Sequence, residues 1–370
     1  MYFYFITILL LFVPVFLEIL FPKLTAKPLY KNLLIIFAVG ICILELGFRW
    51  ETGTDWKQYI RHFYTQNLST PLVNNENGYE PGYNLIVSCV KFAISDYTFF
   101  LLVHATLFFL LLQKTYRYFT PYFFVAIVIF YATFMGTWGA NRQFLAAAFG
   151  LLSVFYLYEK KLWAYFLCIL IAFQFHTSSI LLISFVFLTK KLDSRLMILA
   201  VALSLMVGYT QLPFKIFTFF GSFSDYSAFK VKQYLDIAAH DSKPISTLGF
   251  LKRITIFTFF FILRERILKL QPKFTLIFNI YFLSLCFYLI FAKTLTVMIS
   301  RGSFYFNIFE PVLLSYVFYL LKSKKMILIT ACLFLIYSLV VVNRSIGVYP
   351  DLFVPYKTLF FNSDYHRNMH

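Results

Sequence analysis

Charged residues are scarce in this 370-residue chain, where they make up 13% of the sequence against 61% apolar residues. A soluble domain usually carries about a quarter of charged residues, so this balance excludes an ordinary soluble fold. Long polar interruptions are also few, and apolar runs of roughly 15–20 residues, the length that crosses a bilayer core, follow one another along the chain. Because a backbone in lipid must satisfy its own hydrogen bonds, these runs are predicted to be transmembrane α-helices.

Paired cysteines, internal repeats and a basic leader are also missing. The five cysteines stand singly within apolar segments, so neither a disulfide frame nor a zinc site is predicted. No positively charged region precedes the first apolar run, and that run is therefore expected to be retained as a span rather than cleaved. One polytopic membrane domain over residues 1–370 is expected.

The net charge of +17 does not indicate a nucleic-acid partner, because the basic residues lie in short loops between apolar runs rather than on one basic domain. By the positive-inside rule these loops are predicted to be cytoplasmic. The basic clusters are Lys23/Lys27/Lys31, Lys114/Arg117, Lys160/Lys161, Lys190/Lys191/Arg195, Arg264/Arg266/Lys269/Lys273 and Lys322/Lys324/Lys325.

The apolar runs together with this rule predict an all-α integral membrane bundle of about 10–12 transmembrane helices, with both termini outside. Three stretches, 49–81, 213–246 and 343–370, are expected to face outward. The predicted spans lie near 2–21, 32–48, 98–113, 121–137, 142–158, 196–212, 247–263, 274–294, 303–321 and 325–342.

Two segments are assigned by counting the membrane crossings that the predicted sides of their flanking loops allow. The apolar run 162–189 has a cytoplasmic basic cluster at each end, so it is predicted to cross and return as two short helices. Its only polar cluster, residues 174–179, is the expected reversal point at the outer surface. Only one crossing fits between residues 81 and 114, so 82–95 is predicted to be an interfacial helix and 98–113 the span.

With this topology the unusual polar residues gather at the outer side. They are Arg49, Asp55, Glu80, Arg142, His176, Arg253 and Arg301. Each has a simpler explanation: an arginine that snorkels to the interface, a histidine that caps a helix, or an acid that ends a loop or starts a helix. Ionisable groups at membrane depth tend to mark function, however, and their convergence predicts an outward-facing site for an anionic ligand.

Two sets of residues keep alternative interpretations. The intramembrane acids Glu18, Glu45 and Glu310 fit helix contacts, or the groups of a proton- or ion-coupled carrier. The tryptophans at the outer boundary, among them Trp50, Trp56 and Trp138, fit an interfacial aromatic belt, or a surface on which sugar rings stack.

An ordered series of short motifs runs through residues 48–190. Phe48-Arg49 precedes Gly53-Thr54-Asp55-Trp56-x-x-Tyr59, and Glu80-Pro81-Gly82-Tyr83 follows. Arg142-Gln143-x-x-Ala146 opens a span, and Ala172-Phe173-Gln174-Phe175-His176-Thr177-Ser178 and Ser300-Arg301 come later. In this order the motifs resemble those of the EpsG-like, Wzy-type family of bacterial polysaccharide polymerases.

The resemblance implies a membrane glycosyltransferase that makes O-antigen, capsule or exopolysaccharide, with a fold like that of the GT-C type. Its donor and acceptor are oligosaccharide repeat units on undecaprenyl pyrophosphate, at the outer, periplasmic face of the bacterial cytoplasmic (inner) membrane. The growing chain moves from its lipid carrier onto the non-reducing end of a new lipid-linked unit. Membrane lipid is a further expected partner, and a chain-length regulator is left open.

Cleavage of a sugar–phosphate bond leaves negative charge on the departing pyrophosphate, which fixed cations stabilise. The candidates for this role are Arg142, Arg253, Arg301 and Arg49. The attacking hydroxyl must lose a proton, so a base is expected. His176 is the first candidate because an ordinary imidazole titrates near neutral pH; Glu80 is second and Asp55 third. His176 is alternatively a donor to the pyrophosphate, which promotes Glu80.

No Asp-x-Asp motif occurs in the chain, so no metal or other cofactor is expected and activity is predicted to be metal-independent. Two other functions remain as alternatives. An O-antigen ligase uses the same donor with a lipid A core as acceptor. A lipid-linked oligosaccharide flippase or other transporter would require a charged central cavity and usually paired repeats, and the sequence shows no repeat.

Overall fold

The computed structural model describes residues 1–70, 78–221, 246–365 and 367, and also residues 228, 231, 232, 235 and 236. Nearly all regular structure in these residues is helical. Among them the one β-type pairing is an isolated antiparallel bridge between Arg49 and Thr358. The protein is an all-α multi-pass membrane protein, as the hydropathy predicts.

The α-helices described are, in chain order, α1 (Tyr2–Leu20), α2 (Pro22–Thr25), α3 (Pro28–Phe48), α4 (Trp56–Thr65), α5 (Pro81–Ala93), α6 (Tyr97–Phe119), α7 (Phe123–Phe134), α8 (Asn141–Tyr158), α9 (Leu162–Phe173), α10 (Ser194–Gly208), α11 (Leu212–Gly221), α12 (Thr247–Leu270), α13 (Phe274–Phe291), α14 (Thr296–Gly302), α15 (Phe304–Asn307), α16 (Glu310–Ser315), α17 (Lys324–Gly347) and α18 (Pro350–Phe353). Three 3₁₀ helices cover Met135–Thr137, Thr177–Leu188 and Tyr316–Leu320.

The helices form two compact units. The first contains Met1–Ile180 and Leu314–His370, and the second contains Leu181–Leu313. In the first unit α6 packs between α3 and α8, α8 packs on α9, and α7 packs on α1 and α17. In the second unit α13 packs on α10 and α12. The expectation of one membrane domain over the whole chain stays a prediction.

Five described helices are each long and apolar enough to cross a membrane: α1, α3, α6, α13 and α17. A sixth span results if α10 and α11, which meet at an 80° bend, are taken together. The predicted spans at 142–158 and 247–263 are helical as α8 and α12, but neither belongs to this apolar set. The predicted total of 10–12 crossings therefore stays a prediction.

The predicted break in the run 162–189 is present, because α9 ends at Phe173 and the next helix begins at Thr177. The helix predicted for 82–95 is also present as α5. The span predicted at 303–321 is present as one apolar helical stretch, Phe304–Leu320, within which the hydrogen-bond pattern changes from α15 through α16 to a 3₁₀ helix. Pro311 has no N–H to donate to the preceding turn, which fits the change of pattern between α15 and α16.

The stretch 213–246, predicted as an outer loop, begins with α11. Most of the remainder, from residue 222 to residue 245, lies outside the described residues.

The basic clusters of the first unit gather at one end of its helices. Lys31 at the start of α3 lines one cavity with Lys114 and Arg117 at the end of α6, and another cavity with Lys322 and Lys324. The other end of the same helices carries the motif segments Phe48-Arg49 and Arg142-Gln143, since α3 ends at Phe48 and α8 begins at Asn141. The predicted topology requires the basic clusters and the motif segments to lie at opposite ends of these helices. The orientation of the helices in the membrane stays a prediction.

Candidate active site

Two of the sequence motifs are in direct contact in the first unit. The amides of Gly82 and Tyr83, at the start of α5, donate to the carbonyl oxygen of Gln174 at 2.9 and 3.3 Å. A Cβ atom on Gly82 would lie 2.6 Å from Cβ of Gln174 and 2.8 Å from its carbonyl oxygen. Only glycine permits this approach, so the Glu80–Tyr83 motif is held against the break between α9 and the following helix.

Glu80 lies at the centre of this junction and is 5% exposed. Its Oε2 accepts a hydrogen bond from Arg142 Nη1 at 2.6 Å, and its Oε1 accepts one from the amide of Thr177 at 3.3 Å. The carboxylate thus joins the first turn of α8 to the first residue of the Thr177–Leu188 helix. Both oxygens have a donor, as a buried carboxylate requires.

Arg142 is held on several sides and retains 16% side-chain exposure. Its Nε donates to the hydroxyl oxygen of Tyr59 at 3.3 Å, and its Nη1 donates to the carbonyl oxygen of Gly78 at 3.3 Å. Its guanidinium lies 4.4 Å from the ring centre of Tyr79, a distance at which a cation is attracted to an aromatic face. This is a positioned cation that still reaches the surface of the unit.

His176 is 3% exposed and bonds to the residue two positions further along. The amide of Ser178 donates to His176 Nδ1 at 3.3 Å, and the Ser178 hydroxyl lies 2.6 Å from the same nitrogen. A nitrogen that accepts an amide proton carries no proton itself. In the neutral ring the proton is therefore on Nε2, which makes that nitrogen a donor in this arrangement.

Arg49 is 3% exposed, and its fixed bonds are internal. Its Nη2 donates to Asn141 Oδ1 at 2.5 Å and its Nη1 donates to the carbonyl oxygen of Leu46 at 2.9 Å. Burial lowers the pKa of this guanidinium from its ordinary value. The backbone oxygen of Asn141 lies 2.9 Å from His104 Nε2. Arg49 therefore fastens the end of α3 to the start of α8, next to Arg142.

The Gly53–Trp56 motif packs on the loop that leads into α8. The amide of Thr54 donates to the carbonyl oxygen of Trp138 at 3.0 Å. Gly53 and Gly139 have φ values of +107° and +117°, and a Cβ on Gly53 would lie 2.2 Å from the Trp138 carbonyl oxygen. Both positions require glycine because the backbone there is left-handed and the neighbouring chain is in contact.

Asp55 lies at the N-cap position of α4 and is partly exposed, and its side chain makes no capping bond. Among the described residues its carboxylate has no hydrogen-bond or ion-pair partner. Asp55 therefore has the position predicted for an acid that starts a helix, but it does not make the capping hydrogen bond.

The two remaining predicted arginines lie in the second unit. Arg253, in α12, donates from Nη1 to the carbonyl oxygen of Gly249 at 3.1 Å and lies 4.2 Å from the ring centre of Tyr288. Arg301 lies in the short helix α14 and is partly exposed. Arg49, Glu80, Arg142 and His176 are brought together by contacts within the first unit.

The intramembrane acids have distinct partners. Glu310, 3% exposed, pairs with Lys252 at 2.7 Å in the second unit, and Glu45 accepts from the Tyr131 hydroxyl at 2.7 Å in the first. Glu18 lines the two cavities at the basic end of the first unit. The bonds of Glu45 and Glu310 are contacts between packed helices.

Sequence reasoning gave no role to His62 and Asn141, which the structure brings to the site. His62 is 4% exposed and lies edge to face with Tyr79 at 4.3 Å. Burial is the largest cause of a pKa lowered from 6.5 to about 4, and the nearby charge of Arg142 acts in the same direction. His62 follows Tyr59 by three residues on α4, and this helical spacing is the one sequence signal that places the two side chains on the same face. For Asn141 the one sequence signal is its position beside Arg142.

The C-terminal segment completes the support of the Arg49–Thr54 loop. The amide of Trp50 donates to the carbonyl oxygen of Lys357 at 2.9 Å, and Lys357 Nζ pairs with Glu51 Oε2 at 2.5 Å. Arg367 donates to the Thr52 hydroxyl at 3.3 Å and to the carbonyl oxygen of Asp351. Lys357 and Arg367 thus hold residues 50–52 of the loop that carries Arg49 and Asp55.

The site offers a fixed cation, a carboxylate and an imidazole donor at one end of a helical unit, with tyrosine rings around them. Among the described residues, no three His, Cys, Asp or Glu side chains are placed to hold a metal ion. Such a constellation is suited to binding an anionic group and to moving a proton nearby.

Comparisons with known proteins agree with the motifs. Searches of curated proteins and of solved structures give no significant match. The sequence profile of the EpsG family matches residues 31–358, which include every motif segment described above. The match covers most of the chain and confirms the resemblance: the chain belongs to the EpsG family.

Proposed function

We propose that this protein is a polysaccharide polymerase that joins undecaprenyl-pyrophosphate-linked oligosaccharide repeat units by glycosyl transfer at the outer face of the cytoplasmic membrane. The observation that carries the proposal is the Glu80–Arg142 pair, 2.6 Å apart, assembled from motif segments of an EpsG-family chain. An arginine is suited to a pyrophosphate because its planar fork bonds two phosphate oxygens at once.

In the proposed reaction, a hydroxyl at the non-reducing end of the new unit attacks the anomeric carbon of the growing chain. The new carbon–oxygen bond forms as the bond from that carbon to the phosphate oxygen breaks, and the electron pair stays on the departing pyrophosphate. The hydroxyl proton goes to a protein base. Arg142 stabilises the charge on the departing group, since preplaced donors act most strongly where charge develops.

The geometry favours Glu80 over His176 as the base. The bond from the Ser178 amide to His176 Nδ1 makes Nε2 a donor, which suits a phosphate oxygen rather than a hydroxyl proton. Glu80 Oε2 is occupied by Arg142. When a pyrophosphate binds the guanidinium of Arg142 in place of Glu80, Glu80 Oε2 loses its hydrogen bond. The carboxylate is then able to accept the hydroxyl proton. Binding of donor and activation of the base are coupled through one ion pair.

Arg253 and Arg301 are proposed to bind the phosphates of lipid-linked substrate, and Asp55 to contact the acceptor glycan. Arg49 acts through Asn141 to position Arg142, because its own bonds are internal. The outward orientation rests on the basic loops at the opposite end of the first unit, which the positive-inside rule assigns to the cytoplasm.

A deletion strain complemented with single variants tests this function. Loss of the protein should leave surface glycan as one repeat unit on its acceptor, and the wild-type chain should restore the ladder. Arg142→Ala should reproduce the deletion at normal expression, while Arg61→Ala, at an exposed position of α4, should restore the ladder. An intact lipid-linked ladder that never reaches its core would identify a ligase instead.

A further inference from the structure

We propose that the first unit binds an anionic phospholipid at the end of its helices opposite to the Glu80–Arg142 pair. Two neighbouring cavities of about 460 and 440 Å³ form the site. Both cavities are lined by Glu18, Lys31 and Pro121, so they adjoin. The site is separate from the proposed polymerase reaction and is tested without it.

The charge of the lining selects an anion. Lys114 and Arg117 line the first cavity and Lys322 and Lys324 line the second, in addition to the shared Lys31. Among the described residues, none of these five cations has a carboxylate within 4.0 Å. Glu18 is the one acid in either lining. A phosphate is the group that such a surplus of basic side chains recognises in a bilayer.

Acceptor groups in the first cavity indicate a headgroup that also carries hydroxyls. Gln113 Oε1 is buried and has no hydrogen-bond donor among the described residues. The carboxylate of Glu18 lies in the same lining. Buried acceptors are normally satisfied, and a glycerol headgroup has hydroxyls that would satisfy them. Phosphatidylglycerol combines these hydroxyls with a phosphate.

The apolar part of the lining argues for a lipid rather than free phosphate. Ile35, Phe123 and Phe124 line the first cavity, and Val125 and Ile327 line the second. Acyl chains gain free energy by covering such surfaces, whereas inorganic phosphate does not. The charged and apolar parts adjoin, as the headgroup and chains of a phospholipid do.

The position along the helices fits a leaflet boundary. Tyr97, at the start of α6, bonds to Asn141 beside the candidate active site, and Arg117 near the end of α6 lines the cavity. A helix of 23 residues is about 34 Å long, close to the thickness of a bilayer core. The cavities therefore lie at the basic end, where anionic cytoplasmic lipids gather.

The test is lipid retention by the purified full-length protein, measured by native mass spectrometry after delipidation and resupply of phosphatidylglycerol or phosphatidylcholine. The variant Lys31→Gln/Arg117→Gln removes two cations of the lining. Its matched control is Lys161→Gln/Lys325→Gln, which removes two exposed cations that line neither cavity. Two cations contribute roughly thirty-fold to the affinity for an anionic headgroup.

The wild type and the control should retain phosphatidylglycerol in preference to phosphatidylcholine, and the Lys31/Arg117 variant should bind it roughly thirty-fold more weakly. Lys31→Arg/Arg117→Lys keeps both charges and should retain the lipid. Equal retention by the two glutamine variants would overturn the proposal. Displacement of the lipid by millimolar inorganic phosphate would also overturn it. If the Lys31/Arg117 variant fails to fold, equal retention of phosphatidylglycerol and phosphatidylcholine by the wild type would do the same.

Discussion

The guanidinium of Arg142 donates to Glu80 Oε2 at 2.6 Å while Glu80 Oε1 accepts the amide of Thr177. One carboxylate thereby joins three segments that are far apart in the chain. A buried ion pair is weak evidence for stability, because desolvation offsets much of its attraction. The pair lies among the family motifs, and we propose that it serves the reaction rather than stability.

Arg142→Lys should lower the polymerisation rate by about a hundredfold to a thousandfold, the usual cost of losing a positioned donor to developing charge. Lysine keeps the positive charge but lacks the planar fork that reaches Glu80, Gly78 and Tyr59 together. The rate of lipid-linked polymer formation by purified protein measures this. Arg61→Lys, the same change at an exposed site, should keep the wild-type rate. A wild-type rate in Arg142→Lys would remove this residue from the site.

Glu80→Gln and His176→Gln distinguish the two candidate bases. Glu80→Gln should abolish polymerisation, because an amide accepts no proton at this position. His176→Gln should leave measurable activity, since the amide of glutamine still donates a hydrogen bond. The opposite ranking, with His176→Gln inactive and Glu80→Gln active, would make His176 the base.

Gly53→Ala should lower the free energy of unfolding by about 2 kcal/mol, in the range for a strained backbone position. The reason is the φ of +107° and the 2.2 Å approach of a Cβ to the Trp138 carbonyl oxygen. Gly40→Ala is the matched control, because nothing lies within 4 Å of its Cβ and alanine favours a helix. Thermal unfolding in detergent followed by gel filtration compares the two. Equal loss in both variants would contradict the packing of Gly53 on Trp138.

His62 should make the protein less stable in acid. Burial lowers the pKa of its imidazole from 6.5 to about 4 in the folded state. The unfolded chain therefore binds a proton first, and stability is complete above pH 6.5 and declines as the pH falls toward 4. Unfolding temperatures at several pH values measure this decline. His62→Phe should reduce the slope in this range; an unchanged slope would assign the acid sensitivity to other groups.

Metal independence is predicted from the lack of an Asp-x-Asp motif in the sequence. Polymerisation by purified protein should continue at the same rate after EDTA treatment, because the proposed stabilisation of the leaving group comes from arginine side chains. The control adds Mg²⁺ in excess of the chelator. A rate that falls to background with EDTA and returns with Mg²⁺ would sink the prediction.

The sequence alone determined much of the helical framework. Apolar runs have a length set by the bilayer, so the positions of α1, α3, α6, α13 and α17 followed from hydropathy. Parity of the basic loops also predicted the break before Thr177. The run 303–321, mostly apolar, was predicted as one span; the apolar helix Phe304–Leu320 is present there, but its changes of hydrogen-bond pattern near Pro311 were not predicted.

Only the tertiary structure decided how the polar residues pair. From the sequence, Arg142 was a candidate for binding a pyrophosphate and Arg49 a fourth. In the structure Arg49 bonds internally to Asn141, while Arg142 bonds to Glu80 and remains partly exposed. Hydropathy and charge patterns are local along the chain. The partner of a buried side chain depends instead on which distant segments pack together, as Gly82 does with Gln174. For this reason the sequence could name Arg49, Glu80, Arg142 and His176 as candidates, and only the fold gave them their neighbours and brought His62 and Asn141 beside them.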